Sequence, residues 1–177
     1  GINPFDQPNV QESKENTNRL LERVRKGGRL PEPAPILSEG PLRFYGKEKA
    51  KSAKEYLHAF FAQARPGDYL NLQAYLSETP VIEQKLQAIR LRLRDGLHLA
   101  TTLGYGPRFL HSTGQFHKGG PNNGPFLQVT ADEAQAVPVP GTPYTFGQFN
   151  HAQALGDLQA LGRHRRRVLR VHMGTDV

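Results

Sequence analysis

Residues 99–130 read LATTLGYGPRFLHSTGQFHKGGPNNGPFLQVT, and the way this stretch begins and ends decides the fold. Leu99, Ala100, Thr101, Thr102 and Leu103 form an apolar, β-branched run of the kind found in buried strands, and residues 126–130 form a second. Between them Gly104, Gly106, Gly114, Gly119, Gly120 and Gly124 are interleaved with Arg108, His111, Ser112, Thr113, Gln115 and Lys118. Glycines let a backbone close around a ligand, and this set of donors suits an anionic, hydroxyl-rich one. Phe109, Leu110 and Phe116 give the loop apolar anchors that a flexible linker lacks. The expectation is a phosphosugar-type site at the carboxyl end of a strand over 97–103, the edge where open α/β sheets bind ligands. Its binding groups would be Arg108, His111, Ser112, Thr113, Gln115 and Lys118. The alternative is an ordered loop whose polar groups satisfy only its own backbone.

Upstream, Thr79 and Pro80 have the chemistry of a helix N-cap and first helical residue. Val81, Ile82, Leu86, Ile89 and Leu93 follow on one face, and Asp95-Gly96 would end the helix. A strand over 69–76 precedes it. Strand, helix and strand at this spacing make a βαβ unit with parallel strands. Earlier still, 47–64 reads as a helix with Ala50, Ala53, Tyr56, Leu57, Phe60 and Phe61 on one face, and 42–45 as a short strand. Downstream, Thr145 can cap a helix over 146–163, and a last strand over 167–172 is expected to close the sheet. Alternating strands and helices predict an α/β fold of three layers, a mostly parallel sheet with helices on both faces.

The first 29 residues begin with the turn-like INPFDQPN and continue as a helix. Leu20, Leu21 and Val24 form a thin apolar stripe, and Gly27-Gly28 stops it. Residues 30–41, LPEPAPILSEGP, are Pro-rich and read as a linker. The expected organisation is a helical segment at 1–29, a linker at 30–41 and an α/β domain at 42–177. The sequence opens Gly-Ile-Asn and its one methionine is Met173, so it reads as a piece of a longer polypeptide. Without cysteine, disulfides and thiolate metal sites are excluded. His111 and His117 lack acidic company, so neither a metal nor a cofactor is expected. The net charge of +7 peaks at Arg163, His164, Arg165, Arg166 and Arg167. That cluster lacks the interleaved aromatics that stack bases, which predicts a basic turn or docking face rather than a nucleic-acid site. With neither an apolar run of membrane-span length nor a signal peptide, a cytoplasmic location is expected.

The sequence Phe5-Asp6-Gln7-Pro8-Asn9-Val10-Gln11-Glu12-Ser13-Lys14 resembles the phosphoglucose isomerase signature Phe/Tyr-Asp/Asn-Gln-x-Gly-Val-Glu-x-x-Lys. Phe5, Asp6, Gln7, Val10 and Lys14 match, while Asn9 replaces the glycine and Gln11 the glutamate. The resemblance implies that Lys14 assists ring opening as a catalytic group and that Gln7 reaches the sugar. Further segments resemble the C-terminal end of bifunctional transaldolase/glucose-6-phosphate isomerase fusion proteins. They are Gly67-Asp68-Tyr69, Leu103-Gly104-x-Gly106-Pro107-Arg108, the run from Leu110 to Asn122, Pro143-Tyr144-Thr145-Phe146-Gly147 and Ala152-Gln153-Ala154-x-Gly156-Asp157. This resemblance implies a sugar isomerase (SIS), Rossmann-like fold and interconversion of glucose 6-phosphate and fructose 6-phosphate. The partners it implies are a phosphosugar and the upstream isomerase and transaldolase domains.

Aldose–ketose isomerisation needs a base that moves a proton between C1 and C2. The family's glutamate base, its phosphate loop and its Gly-Gly-Arg-x-Ser signature have no counterpart here, and Glu12, Glu39, Glu78 and Glu133 stand in no matching context. Two expectations follow. Either the chain supplies one wall of an isomerase site, or it is a non-catalytic phosphosugar-binding or scaffold domain of the same fusion.

Overall fold

The structure is a computed structural model that describes residues 6–111 and 113–175. Its centre is a six-stranded sheet with the order β1-β2-β6-β5-β3-β4. The strands are β1 (Leu37–Glu39), β2 (Leu42–Tyr45), β3 (Tyr69–Tyr75), β4 (Ala100–Tyr105), β5 (Pro125–Ala131) and β6 (Arg167–Met173). β3, β4, β5 and β6 run parallel, and the hairpin β1–β2 joins β6 antiparallel. The expected βαβ unit is β3, helix α3 (Pro80–Leu97) and β4. The fold is α/β with helices on both faces of a mostly parallel sheet.

Alternation along the strands gives the two faces different chemistry. Leu70, Leu72, Leu127, Leu169 and Val171 join Phe44 in one apolar cluster, covered by Ala53, Tyr56 and Phe60 of helix α2 (Ala53–Phe61). Ile82 and Leu86 of α3 pack on Ala74 of the same face. The neighbouring strand positions Asn71, Gln73, Gln128, Thr130, Arg170 and His172 are polar and also buried. Helix α5 (Phe146–Arg163) lies against that second face, where Gln128 Nε2 donates to the carbonyl of Ala154.

Helix α1 (Pro8–Arg25) forms a further layer on α5. Leu20 and Leu21 meet Ala152, Leu155 and Tyr144, which is the stripe read from the sequence. The rest of the contact is polar: Ser13 Oγ donates to Asp157 Oδ1 at 3.2 Å, and Asn16 Nδ2 to the Gly156 carbonyl at 3.0 Å. Gly156 permits this approach, because a Cβ there would stand 2.5 Å from Thr17 Oγ1. Residues 8–25 therefore belong to the α/β body instead of forming a separate segment. The expected linker is also structured: Leu30 packs beside Leu20 and Leu21, Glu32 pairs with Arg170 and His151, and 37–39 form the edge strand β1.

Several boundaries differ from the sequence reading: the helix expected over 47–64 is α2 at Ala53–Phe61, and the strand expected over 97–103 is β4 at Ala100–Tyr105. Asp95-Gly96 does not stop α3, which continues to Leu97 and ends with His98 in the left-handed region at φ 54°. The long loop after β4 contains a 3₁₀ turn (Arg108–His111) and the short helix α4 (Gly114–Gly119). The last strand, expected to close the sheet, lies in its interior between β5 and β2. Its burial on both sides suits the apolar Leu169 and the β-branched Val168 and Val171.

Candidate functional site

Lys14 lies on the flank of α1 beside its buried stripe of Val10, Ser13 and Thr17, and it is exposed. Its ammonium has neither a hydrogen-bond nor an ion-pair partner among the described residues. Together with Asn18, His111, Phe149 and Gln153 it lines a cleft of about 130 Å³ where α1, α5 and the 3₁₀ turn meet. His111 is presented there because Phe109 and Leu110, the two residues before it, are buried against Tyr75 and Ala154. Two of the expected loop anchors thus hold an imidazole toward the outside, whereas the third, Phe116, is 51% exposed beside Tyr69 and is not buried in the core. Gln7 is the N-cap residue of α1, with its side chain exposed and making no capping bond. Seven positions separate it from Lys14, which puts both on one side of the helix. Three groups named from sequence therefore share a surface, and two of them, Lys14 and His111, share a cleft.

The remaining candidates are placed elsewhere. Arg108 pairs with Glu78 and stacks over the Tyr105 ring at 5.6 Å. With Thr113 it lines an open cleft of about 400 Å³ whose other charged groups are Glu78 and Glu83. Those two carboxylates oppose an anion there. Gln115 is engaged by Asn9: its Oε1 accepts from the Asn9 backbone N–H at 3.0 Å, and its Nε2 donates to Asn9 Oδ1 at 2.7 Å. The asparagine that departs from the isomerase signature thus ties α1 to α4. Lys118, expected to meet an anionic ligand, is fully buried and donates to Asp157 Oδ1 at 2.6 Å. It neutralises the carboxylate that Ser13 also meets. Ser112, like Phe5 of the signature, lies outside the described residues.

The basic cluster is largely consumed within the fold. Arg163 and His164 reach Glu12. Arg166 donates to the carbonyls of Lys118 and Gly120, and Arg167 grips Asp68 with two bonds of 2.7 and 2.9 Å. The four glutamates considered as bases are engaged too. Glu12 holds Arg163 and His164, Glu39 accepts from the Ala53 N–H that opens α2, and Glu78 holds Arg108. Glu133 accepts from Thr145 Oγ1 at 2.7 Å and from the Gly147 N–H at 3.2 Å, filling the N-terminus of α5 with a carboxylate.

Sequence reasoning placed the site after β4, but a cleft of about 590 Å³ lies at the carboxyl ends of β3 and β5. Tyr75, Thr130, Asp132, Glu133, Asn150 and His151 are among its lining residues. The chain leaves β3 for α3 on one face and leaves β5 for α5 on the other, which makes this the topological switch point of the sheet. The sequence signal was present in the strand-end run Thr130-Ala131-Asp132-Glu133 followed by the helix cap Thr145. Thr130 Oγ1 lies 3.0 Å from His172 Nδ1, and His172 Nε2 lies 3.2 Å from Asp132 Oδ1. Burial lowers the His172 pKa against the pull of Asp132. Burial alone would raise the Glu32 pKa, but hydrogen bonds from His151 and Arg170 outweigh it and bring the value down to about 2. Among the described residues no lysine or arginine lines the switch-point cleft. It is suited to neutral, hydrogen-bonding ligands more than to phosphates.

Among the described residues no three His, Asp or Glu side chains are grouped to hold a metal ion, and no helix is long and apolar enough to cross a membrane. No family model and no curated protein matches the sequence. Among solved structures, the hypothetical protein TT0462 from Thermus thermophilus is similar, with 17% identity and a TM-score of 0.48. The match covers 66% of this chain and 32% of that one, so the chain spans about a third of that protein's length.

Proposed function

We propose that this chain supplies one wall of a glucose-6-phosphate isomerase site, with Lys14 as the group that acts on the sugar ring and Gln7 and His111 beside it. The observation that carries the reading is the ammonium of Lys14, without a partner among the described residues, at a cleft shared with His111, on a helix whose other side is locked to α5. Ring opening requires a proton to reach the ring oxygen as the C1 hydroxyl loses one, and an ammonium or imidazolium can provide the first. The later proton transfer between C2 and C1 needs a carboxylate base. Glu12, Glu39, Glu78 and Glu133 are all engaged within the fold, and the resemblance implies that the base comes from an upstream domain.

The resemblance to transaldolase/isomerase fusions supports the same substrate, with the upstream domains of such a fusion as partners and the cytoplasm as location. A second reading, a non-catalytic phosphosugar-binding or scaffold domain, is favoured by the internal engagement of Gln115 and Lys118. Backbone NMR titration with fructose 6-phosphate tests the proposal. The expected result is a set of shifts at Lys14, Asn18, His111 and Gln153 that Lys14→Ala abolishes, with no turnover by this chain alone in a coupled isomerase assay. Absence of shifts at those four residues would overturn the isomerase-wall reading.

A further inference from the structure

The apolar face of the sheet is not fully covered. Between α2 and α3 lies a groove of about 500 Å³ whose floor includes Leu127 and Val129 of β5 and Val171 of β6. Leu57 and Phe61 line it from the α2 side and Ile89 from the α3 side, where Ile89 is 44% exposed. In a three-layer sandwich this is the position of another helix, and a helix is about 10 Å across with its side chains.

Charge identifies the kind of helix. Lys85 and Arg92 are the charged side chains that line the groove, and with Ile89 they form one stripe of α3 at i, i+4 and i+7. Lys54 continues the Leu57–Phe61 stripe of α2 at the matching spacing, i, i+3 and i+7. None of these three cations has an ion-pair or hydrogen-bond partner among the described residues, and all three are exposed. The α3 wall therefore carries two uncompensated positive charges along an apolar trough, and Lys54 adds a third on the helix that forms the other wall, outside the groove lining. A second copy of this chain would bring like charge to like, since the whole chain carries +7. A lone acyl chain would stay wet along the open side of the groove.

We propose that this groove docks an amphipathic helix from a partner protein, with an apolar face toward Leu127, Val129 and Val171 and acidic residues on both flanks. Lys54, Lys85 and Arg92 select such a helix by sign, and the floor holds it by burial. The inference is independent of Lys14 and of the isomerase reading.

The test uses two synthetic helical peptides of about five turns, leucine-faced, with either glutamates or lysines on the flanks. Methyl NMR of the whole chain reads binding at Leu127, Val129 and Val171. The acidic peptide is expected to bind at least about tenfold more tightly than the basic one, and the double variant Lys85→Glu/Arg92→Glu to reverse that order. Equal affinities, or shifts that map outside the groove, would overturn the proposal. Saturation of the same methyls by oleate with no response to the acidic peptide would reassign the groove to a lipid. Self-association in sedimentation velocity that Ile89→Asp abolishes would reassign it to a second copy.

Discussion

The two faces of the sheet are built from alternate residues of the same strands, yet they are held by opposite means. On the α2 and α3 side, Leu70, Leu72, Leu127, Leu169 and Val171 offer a non-directional apolar surface that tolerates a gap wide enough to form a groove. On the α5 side, Asn71, Gln73, Gln128, Thr130, Arg170 and His172 are buried, Gln128 donates to the Ala154 carbonyl of α5, and above them Lys118, Asp157, Ser13 and Asn16 tie α4, α5 and α1 to one another. Hydrogen bonds and ion pairs are directional, so α1 and α5 have one seating, whereas an apolar face accepts several. The polar face thus fixes the Lys14 cleft in place, and the apolar face leaves a surface free for another molecule.

Removing one partner of the Lys118–Asp157 pair is the most severe way to break this contrast. Lys118→Met leaves the fully buried Asp157 without its counter-ion, and a loss of about 3–5 kcal/mol in urea unfolding is expected. Lys118→Met combined with Asp157→Leu should recover much of that loss. Acid acts next. His117 is enclosed by Tyr69, Phe109 and Phe126, and burial, helped by Lys118 and Arg166, lowers its pKa to about 4. Below its unfolded value near 6.5 the unfolded chain gains a proton that the folded chain refuses, so stability falls with pH. The full loss, about 3 kcal/mol, is reached near pH 4. Unfolding of His117→Phe followed from pH 7 to pH 4 should show a correspondingly shallower slope.

Gly156→Ala drives a methyl into Thr17 and should cost about 1–3 kcal/mol by separating α1 from α5, read by thermal denaturation. On the other face the contrast sharpens, because Ile89→Lys at the groove should change stability by no more than about 0.5 kcal/mol. A large loss there would mean that the groove wall is part of the core and not a free surface.

The βαβ unit and the caps at Thr79 and Thr145 were legible because turn and cap chemistry is local: each hydroxyl accepts from a backbone N–H three residues on. The docking of α1 was not legible. Its buried Ser13, Asn16 and Thr17 are read as solvent-facing by any apolar count, and their partners Gly156 and Asp157 lie about 140 positions away. Lys118 misled for the same reason, since nothing adjacent in sequence discloses the buried Asp157. Phe109 and Leu110 did carry His111 to the surface as the anchors implied. The switch-point cleft depends on which face each crossover takes, a property of the whole sheet that Thr130 and Asp132 do not reveal alone.

The position of β6 sets the order in which the molecule can be assembled. The β1–β2 hairpin touches the sheet through β6, and β3, β4 and β5 form a parallel block on its other side. During synthesis both blocks emerge from the ribosome before the strand that joins them. Until residues 167–173 are free to enter, each block carries an unpaired edge, Phe44 and Tyr45 on one side and Phe126 to Ala131 on the other. The sheet is therefore completed after translation of its other strands, by insertion of the last one into the middle. Those two edges are where a nascent or C-terminally shortened chain is most exposed to mispairing with its neighbours.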